Sequence, residues 1–284
     1  TGGQLEQLKK QAIDLGAATT FSATEAAQGQ ENLASAGFSV KEIMEAMPGV
    51  LNMAAAGDVD IATASDYAAT TLRSFGLEAS KATHVADVLA KQAAVTNAGI
   101  VDTGYAMKYV APIAHSLGFN MEETAAAIGI LANYGIKGSQ AGTTLRQAFT
   151  RMAKPTKAAK AVMEELGISF FDAQGKIKPL ASIIGELQEK MKGLTSQQKD
   201  ANMNILFGQT AMGGMLDLVD SGPKKLKSLT NELKNSDGAS KKMAHTMTDN
   251  LAGAIENLMG TIESVKLRIY EMHSSSLVYL VNKI

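Results

Sequence analysis

A chain of 284 residues with 45% apolar and 19% charged content is an ordered protein with material for one large domain or two, not a disordered tail. Its 27 Lys and Arg nearly balance its 28 Asp and Glu, and the mixed signs leave no electrostatic footprint for specific nucleic-acid binding. Cysteine is absent, which removes disulfides, thiolate nucleophiles and sulfur metal ligands together, while fifteen methionines and only five prolines suit long, closely packed helices.

The first periodic stretch, residues 4–18, places Leu5, Leu8, Ala12, Ile13 and Leu15 at helical spacing. Ser22 with Glu25, and then Ser39 with Glu42, carry the capping-box signature that opens two further helices. Pro48-Gly49 is expected to interrupt or re-aim the second of these, and Gly57-Asp58 to end it. A helix from about Asp60 to Phe75 follows. Asn97-Ala98-Gly99 reads as a loop, with Asp102 or Thr103 capping a helix that Pro112 must kink or break.

A corner recurs along this half of the chain. Ser35-Ala36-Gly37-Phe38, Ser74-Phe75-Gly76-Leu77 and Ser116-Leu117-Gly118-Phe119 share a frame, and Glu165-Leu166-Gly167-Ile168 is a looser fourth. The physical device is a helix ending on a left-handed glycine, with the next apolar residue folded over its last turn. A solenoid would need more regular periods, so a bundle reusing one corner is the reading adopted.

The most distinctive stretch is Met121–Ala153. Asn120 with Glu123 marks a helix start, and Gly135 marks its left-handed end. Gly138 and Gly142 are read as tight bends or close approaches in a loop, and Thr143 or Thr144 as the opening of the next helix. Leu145, Ala148, Phe149 and Met152 then fall on one face. The segment is a helix–loop–helix with Gly135, Gly138, Gly142 and Thr143 as its structural loop.

Beyond it, Pro155 suits a first helical turn and Gly167 the end of that helix. Ile168–Phe171 and Lys176–Lys178, joined by Asp172-Ala173-Gln174-Gly175, predict one short β-hairpin. Pro179 starts a helix to about Lys192, Thr195 with Gln198 starts another, and Gly222-Pro223 opens a lysine-rich amphipathic segment. Residues 235–240 are polar and turn-forming. After them Leu251, Ile255, Leu258, Ile262, Val265, Ile269 and Met272 are spaced alternately by 4 and 3, a heptad seam with isoleucine at the a positions. The competing reading is an ordinary amphipathic helix packed on its own domain. The fold class is therefore all-α: a multi-helix domain with one short hairpin and a C-terminal heptad-patterned helix. The expected division is 1–240 for the helical core, 241–272 for the heptad helix, and 273–284 for an atypical tail.

Chemistry finds little support. His84, His115, His245 and His273 form no metal or catalytic motif, and His84 with Asp87 is read as a helix-surface hydrogen bond. The Gly138–Thr144 run lacks the lysine and spacing of a phosphate loop. Glu122-Glu123 and Glu164-Glu165 are neighbours on helices and point apart. Lys224-Lys225-Leu226-Lys227 is read as a solvated face. No catalytic, cofactor or metal residue is assigned, and no enzyme activity is expected. No apolar run reaches the ~18 residues that a spanning helix needs. With no initiating Met, the first residues are expected to be a cut edge inside a longer protein.

The run Asn133-Tyr134-Gly135-Ile136-Lys137-Gly138-Ser139-Gln140-Ala141-Gly142-Thr143-Thr144-Leu145-Arg146 resembles the core of phage tail tape measure proteins. Three more matches follow the same order: Leu15-Gly16 to Thr20-Phe21-Ser22-Ala23, Ala36-Gly37-Phe38-Ser39 to Met47-Pro48-Gly49-Val50-Leu51, and Val85 to Ala90. The resemblance extends to about residue 270. It implies a scaffold: several copies along the tail axis, trimeric or hexameric, around which the tail tube polymerises to a set length. It further implies synthesis in the bacterial cytoplasm, residence in the virion tail, and release ahead of DNA. The implied partners are tube, tail assembly chaperone and baseplate proteins, with host-membrane contact during infection. The alternative is a membrane-active or cell-wall-penetrating module that aids DNA entry.

Overall fold

The computed structural model describes residues 2–281, with side chains described to residue 270 except that of Leu251. The described chain holds fourteen α-helices and one 3₁₀ turn, Ala79–Lys81. Two compact units emerge. The first comprises residues Thr1–Ala69, Glu78–Ala86 and Ser240–Ile284, and the second Thr70–Leu77 and Asp87–Ala239.

In the first unit, α1 (Gly2–Ala18), α2 (Ala23–Ser35) and α3 (Val40–Gly57) pack in sequence, α13 (Ala239–Thr248) follows later in the chain, and α14 (Leu251–Val281) returns to α1 and α2. Both capping boxes form, Ser22 with Glu25 and Ser39 with Glu42, so each helix start satisfies two otherwise orphaned N–H groups. Pro48 does not interrupt α3, which is continuous through it. Gly49 serves a different purpose: a Cβ there would lie 2.4 Å from the backbone of Ala82, so Gly49 is a contact point and not a break, while Pro48 is exposed. Asp58, not Gly57, takes the left-handed cap, at φ 49°. Asp60 then caps α4 (Ile61–Ser74) by accepting from the Thr63 N–H at 2.8 Å, and those bonds hold its carboxyl below the usual range.

The second unit is built on α6 (Ile100–Leu117), α7 (Met121–Asn133), α8 (Gly138–Ala153) and α12 (Gln209–Lys234), with α9 (Lys157–Leu166), α10 (Leu180–Lys190) and α11 (Ser196–Phe207) around them. Helix α5 (Ala82–Val95) ends in this unit. Helix α6 begins at Ile100, earlier than Asp102. Asp102 instead sits in the first turn and accepts from the Gly99 N–H at 3.2 Å, and Pro112 leaves the helix continuous. Helix α12 breaks at Gly222, whose φ of 79° and ψ of 161° re-aim the chain before Pro223.

The recurring corner is one hydrogen-bond pattern. Gly37, Gly76, Gly118 and Gly167 all have positive φ. The N–H groups of Phe38, Leu77, Phe119 and Ile168 reach back five residues to the carbonyls of Leu33, Leu72, Ala114 and Met163. Gly135 with Ile136 repeats it at the end of α7. The predicted hairpin is reduced to a single antiparallel bridge between Phe171 and Ile177, with no strand among the described residues. Asp172 explains the reduction: its side chain accepts from the Gln174 and Lys176 N–H groups at 2.9 Å, making a local turn that leaves one rung of ladder.

Candidate functional site

Two places draw on the residues singled out from the sequence: the glycine-spaced stretch of the second unit and the heptad helix of the first.

At the glycine stretch the loop is shorter than expected. Lys137 is the N-cap and α8 already starts at Gly138, so Gly142, Thr143 and Thr144 lie inside the helix and do not precede it. Gly138 keeps a left-handed φ of 53°. Gly142 lies flat against α6, where a Cβ would come within 2.5 Å of the Ala106 carbonyl oxygen. That close approach sets the α6–α8 contact and seats Leu145, Ala148, Phe149 and Met152, all fully buried. Phe149 stacks on Phe119 at 4.6 Å between ring centroids. Gly135 is exposed. A helix here, without a preceding strand, has no phosphate-loop geometry.

Glu123 departs from the expected capping box. Asn120 does accept from the Glu123 N–H at 2.8 Å. The Glu123 carboxylate, however, turns away and accepts from the backbone N–H of Leu180, at the start of α10. It thus closes a helix 57 residues distant, and burial pushes its carboxyl above the usual glutamate range against the lowering effect of that N–H. A sequence reading restricted to neighbours within one turn has no signal for this partner.

The heptad helix presents two edges. Asn250 opens α14 by accepting from the Gly253 N–H at 2.9 Å. Facing the rest of the first unit are Gly253, Gly260 and Ser264, the only residues of 252–270 that are buried. A Cβ on Gly260 would lie 3.0 Å from the Gly16 carbonyl oxygen and 3.1 Å from that of Phe21. Ser264 donates to the Ile13 carbonyl at 3.3 Å, Arg268 pairs with Asp14 at 2.7 Å, and Thr24 donates to Glu263 at 2.6 Å. The seam looks the other way: Ile255, Leu258, Ile262, Val265 and Ile269 are 45 to 60% exposed. Of the remaining seam positions, the side chains of Leu251 and Met272 lie outside the described residues, as does His273.

Beside α14 a cleft of about 650 Å³ is lined by Glu25, Asp58, Asp60, Glu256 and Glu263 together with Phe21 and Met259. Three of these acids already serve the backbone or a hydroxyl: Glu25 in its capping box, Asp60 at α4, Glu263 on Thr24. The hydroxyls beside these acids, Ser22 on Glu25 at 2.9 Å and Thr24 on Glu263, belong to the start of α2 and its contact with α14. Among the described residues no cluster of three or more His, Asp or Glu could hold a metal ion, and no helix is long and apolar enough to cross a membrane. The carboxylate of Asp87 is buried and accepts from the Gly238 N–H at 2.9 Å, which gives it a structural partner. Lys224, Lys225 and Lys227 are exposed.

Residues 9–208 match the family model described as phage-related minor tail protein. The tape measure protein of Pneumococcus phage Dp-1 is 55% identical over all 284 residues, and these make up 25% of that protein. The probable tape measure protein of Escherichia phage P2 is 33% identical over 278 residues, covering 96% of this chain and 34% of the relative. The chain therefore spans a quarter to a third of the length of these relatives. No solved structure matches it. An all-helical chain so matched along most of its length belongs to the phage-related minor tail protein family.

Proposed function

We propose that this chain is a folded segment of a tape measure protein: a structural component of the virion tail, around which the tail tube assembles and whose extended length sets the length of the tail. The relationship to the Dp-1 and P2 proteins supports the role, and the outward apolar edge of α14 is the single structural observation that carries the mechanism. Copies of the chain associate side by side through Leu251, Ile255, Leu258, Ile262, Val265, Ile269 and Met272, in threes or sixes. A helical rod advances about 1.5 Å per residue, so the parent protein converts chain length into distance by geometry alone. Tube, chaperone and baseplate proteins are the other partners, and the protein leaves the tail ahead of the DNA at infection.

The test is genetic and physical together. In-frame deletions placed in the remainder of the parent gene should shorten tails, seen by electron microscopy, by about 1.5 Å per residue removed. Tails of unchanged length would overturn the ruler. Ile262→Asp in this chain should lower the mass measured by light scattering while leaving helicity intact.

A further inference from the structure

The cleft beside α14 has a lining of two kinds. Five carboxylates stand around it: Glu25 from the start of α2, Asp58 and Asp60 from the link between α3 and α4, and Glu256 and Glu263 from α14. No Lys, Arg or His is among its lining residues. Four of the acids are exposed and Glu263 is half-buried. The bonds that Glu25, Asp60 and Glu263 accept come from backbone N–H groups and a hydroxyl, which hold the carboxylates in place without cancelling their charge. Between the acids the lining is apolar. Phe21 and Val59 are half-buried there, and Met247 and Met259 are 46% and 65% exposed. All of these residues belong to the first unit.

A volume of about 650 Å³ is in the range of clefts that hold a ligand. A single metal ion does not fit this one, because among the described residues no three acids converge closely enough to hold it. The negative charge is instead spread over three elements around an apolar floor, and its complement is a ligand with an apolar stripe flanked by positive charges. Glu256 and Glu263 lie seven residues apart on α14, so about two turns and 10 Å of helix separate them. Cations at i and i+7 of a second helix have the same spacing. Methionine side chains mould themselves to apolar anchors of varied shape, and amphipathic helices engage such grooves through residues at i, i+3, i+4 and i+7. We propose that this cleft binds a basic amphipathic helix of another protein, its apolar anchors lying against Phe21, Met247 and Met259 and its lysines or arginines meeting the five carboxylates. The site is built from the first unit alone and is independent of any association between copies of the chain.

The probe is a synthetic helix of about 18 residues, leucines on one face and lysines on both flanks, titrated into the full chain by calorimetry. It should bind the wild type, and bind the double variant Asp58→Asn/Glu256→Gln about tenfold more weakly. That variant should melt as the wild type does, since both side chains are exposed and Asn suits the left-handed backbone at residue 58. Met259→Ser should weaken the probe by about fivefold through the apolar floor alone. Asp217→Asn/Asp220→Asn, which removes two carboxylates of the second unit, should leave binding unchanged. No binding, or equal binding to the wild type and the Asp58/Glu256 variant, would overturn the site. Equal losses in the Asp217/Asp220 variant would do the same, because attraction would then be to net charge. A lysine helix with serines in place of leucines that binds as tightly would overturn the apolar groove. A fall in the mass of the protein by itself on Asp58→Asn/Glu256→Gln, measured by light scattering, would give the cleft to a second copy and overturn the partner.

Discussion

Helices α8 and α14 each meet a neighbour through a glycine pressed on a carbonyl, Gly142 on Ala106 and Gly260 on Gly16 and Phe21. What surrounds the glycine differs. In α8 it is followed by Leu145, Ala148, Phe149 and Met152 on the same face, so the close approach closes a hydrophobic core. In α14 it is followed by a serine and a half-buried leucine, Leu267, and the seam residues Ile255, Leu258, Ile262, Val265 and Ile269 lie behind it. Close backbone approach supplies geometry, whereas the burial of large apolar side chains supplies most of the free energy. A glycine contact alone therefore does not make a core, and the two helices illustrate both outcomes within one chain.

The largest expected effects lie on the α8 side. Phe149→Ala removes a fully buried ring stacked on Phe119 and should destabilise the second unit by about 3–5 kcal/mol in urea denaturation. Gly142→Val forces side-chain atoms into the Ala106 backbone and should cost about 2–4 kcal/mol, a value read from the same experiment. A near-neutral result would mean that α6 and α8 can part without loss, and the contrast with α14 would vanish.

Glu123 sharpens the comparison from another direction, since it joins distant elements by charge and not by packing. Glu123→Ala should destabilise by about 1–3 kcal/mol because the start of α10 loses its acceptor. Glu123→Gln keeps an acceptor and removes the buried charge. With the folded-state carboxyl raised above its ordinary 4.5, the unfolded chain releases its proton first, so stability falls as pH rises through 4.5 toward the folded value. The wild type should therefore lose more stability than Glu123→Gln between pH 4 and 7, measured by urea midpoints. Equal pH profiles would remove Glu123 from the account.

Smaller effects separate conformation from contact. Gly138→Ala meets nothing closer than 3.7 Å, so its expected cost, about 1 kcal/mol, comes from the left-handed φ alone. Leu258→Ser, on the exposed edge of α14, should leave the melting of the isolated copy within about 0.5 kcal/mol and act only on association. A large loss of monomer stability there would show that the edge is internal after all.

Much of the helical plan is legible locally. The boxes at Ser22, Ser39 and Thr195, and the glycine corners at residues 37, 76, 118, 135 and 167, form because each satisfies orphan backbone groups within six residues. Local pattern misleads where a residue answers to a distant one. Gly49 and Gly142 look like breaks, and both are contacts, because a missing Cβ serves a turn and a close neighbour equally well. Glu123 looks like half of a box and instead caps another helix.

Amino-acid order by itself determined the capping boxes and glycine corners that bound many of the helices, that the seam of 251–272 repeats by sevens, and that no cysteine chemistry is available. It determined these because capping, periodicity and composition act between near neighbours. Only the tertiary structure decided which way the seam of α14 points, since helical periodicity defines an edge but not its neighbour. That choice was made by Gly260 and Ser264, whose small side chains let α1 and α2 approach from the opposite side and leave the isoleucines in solvent.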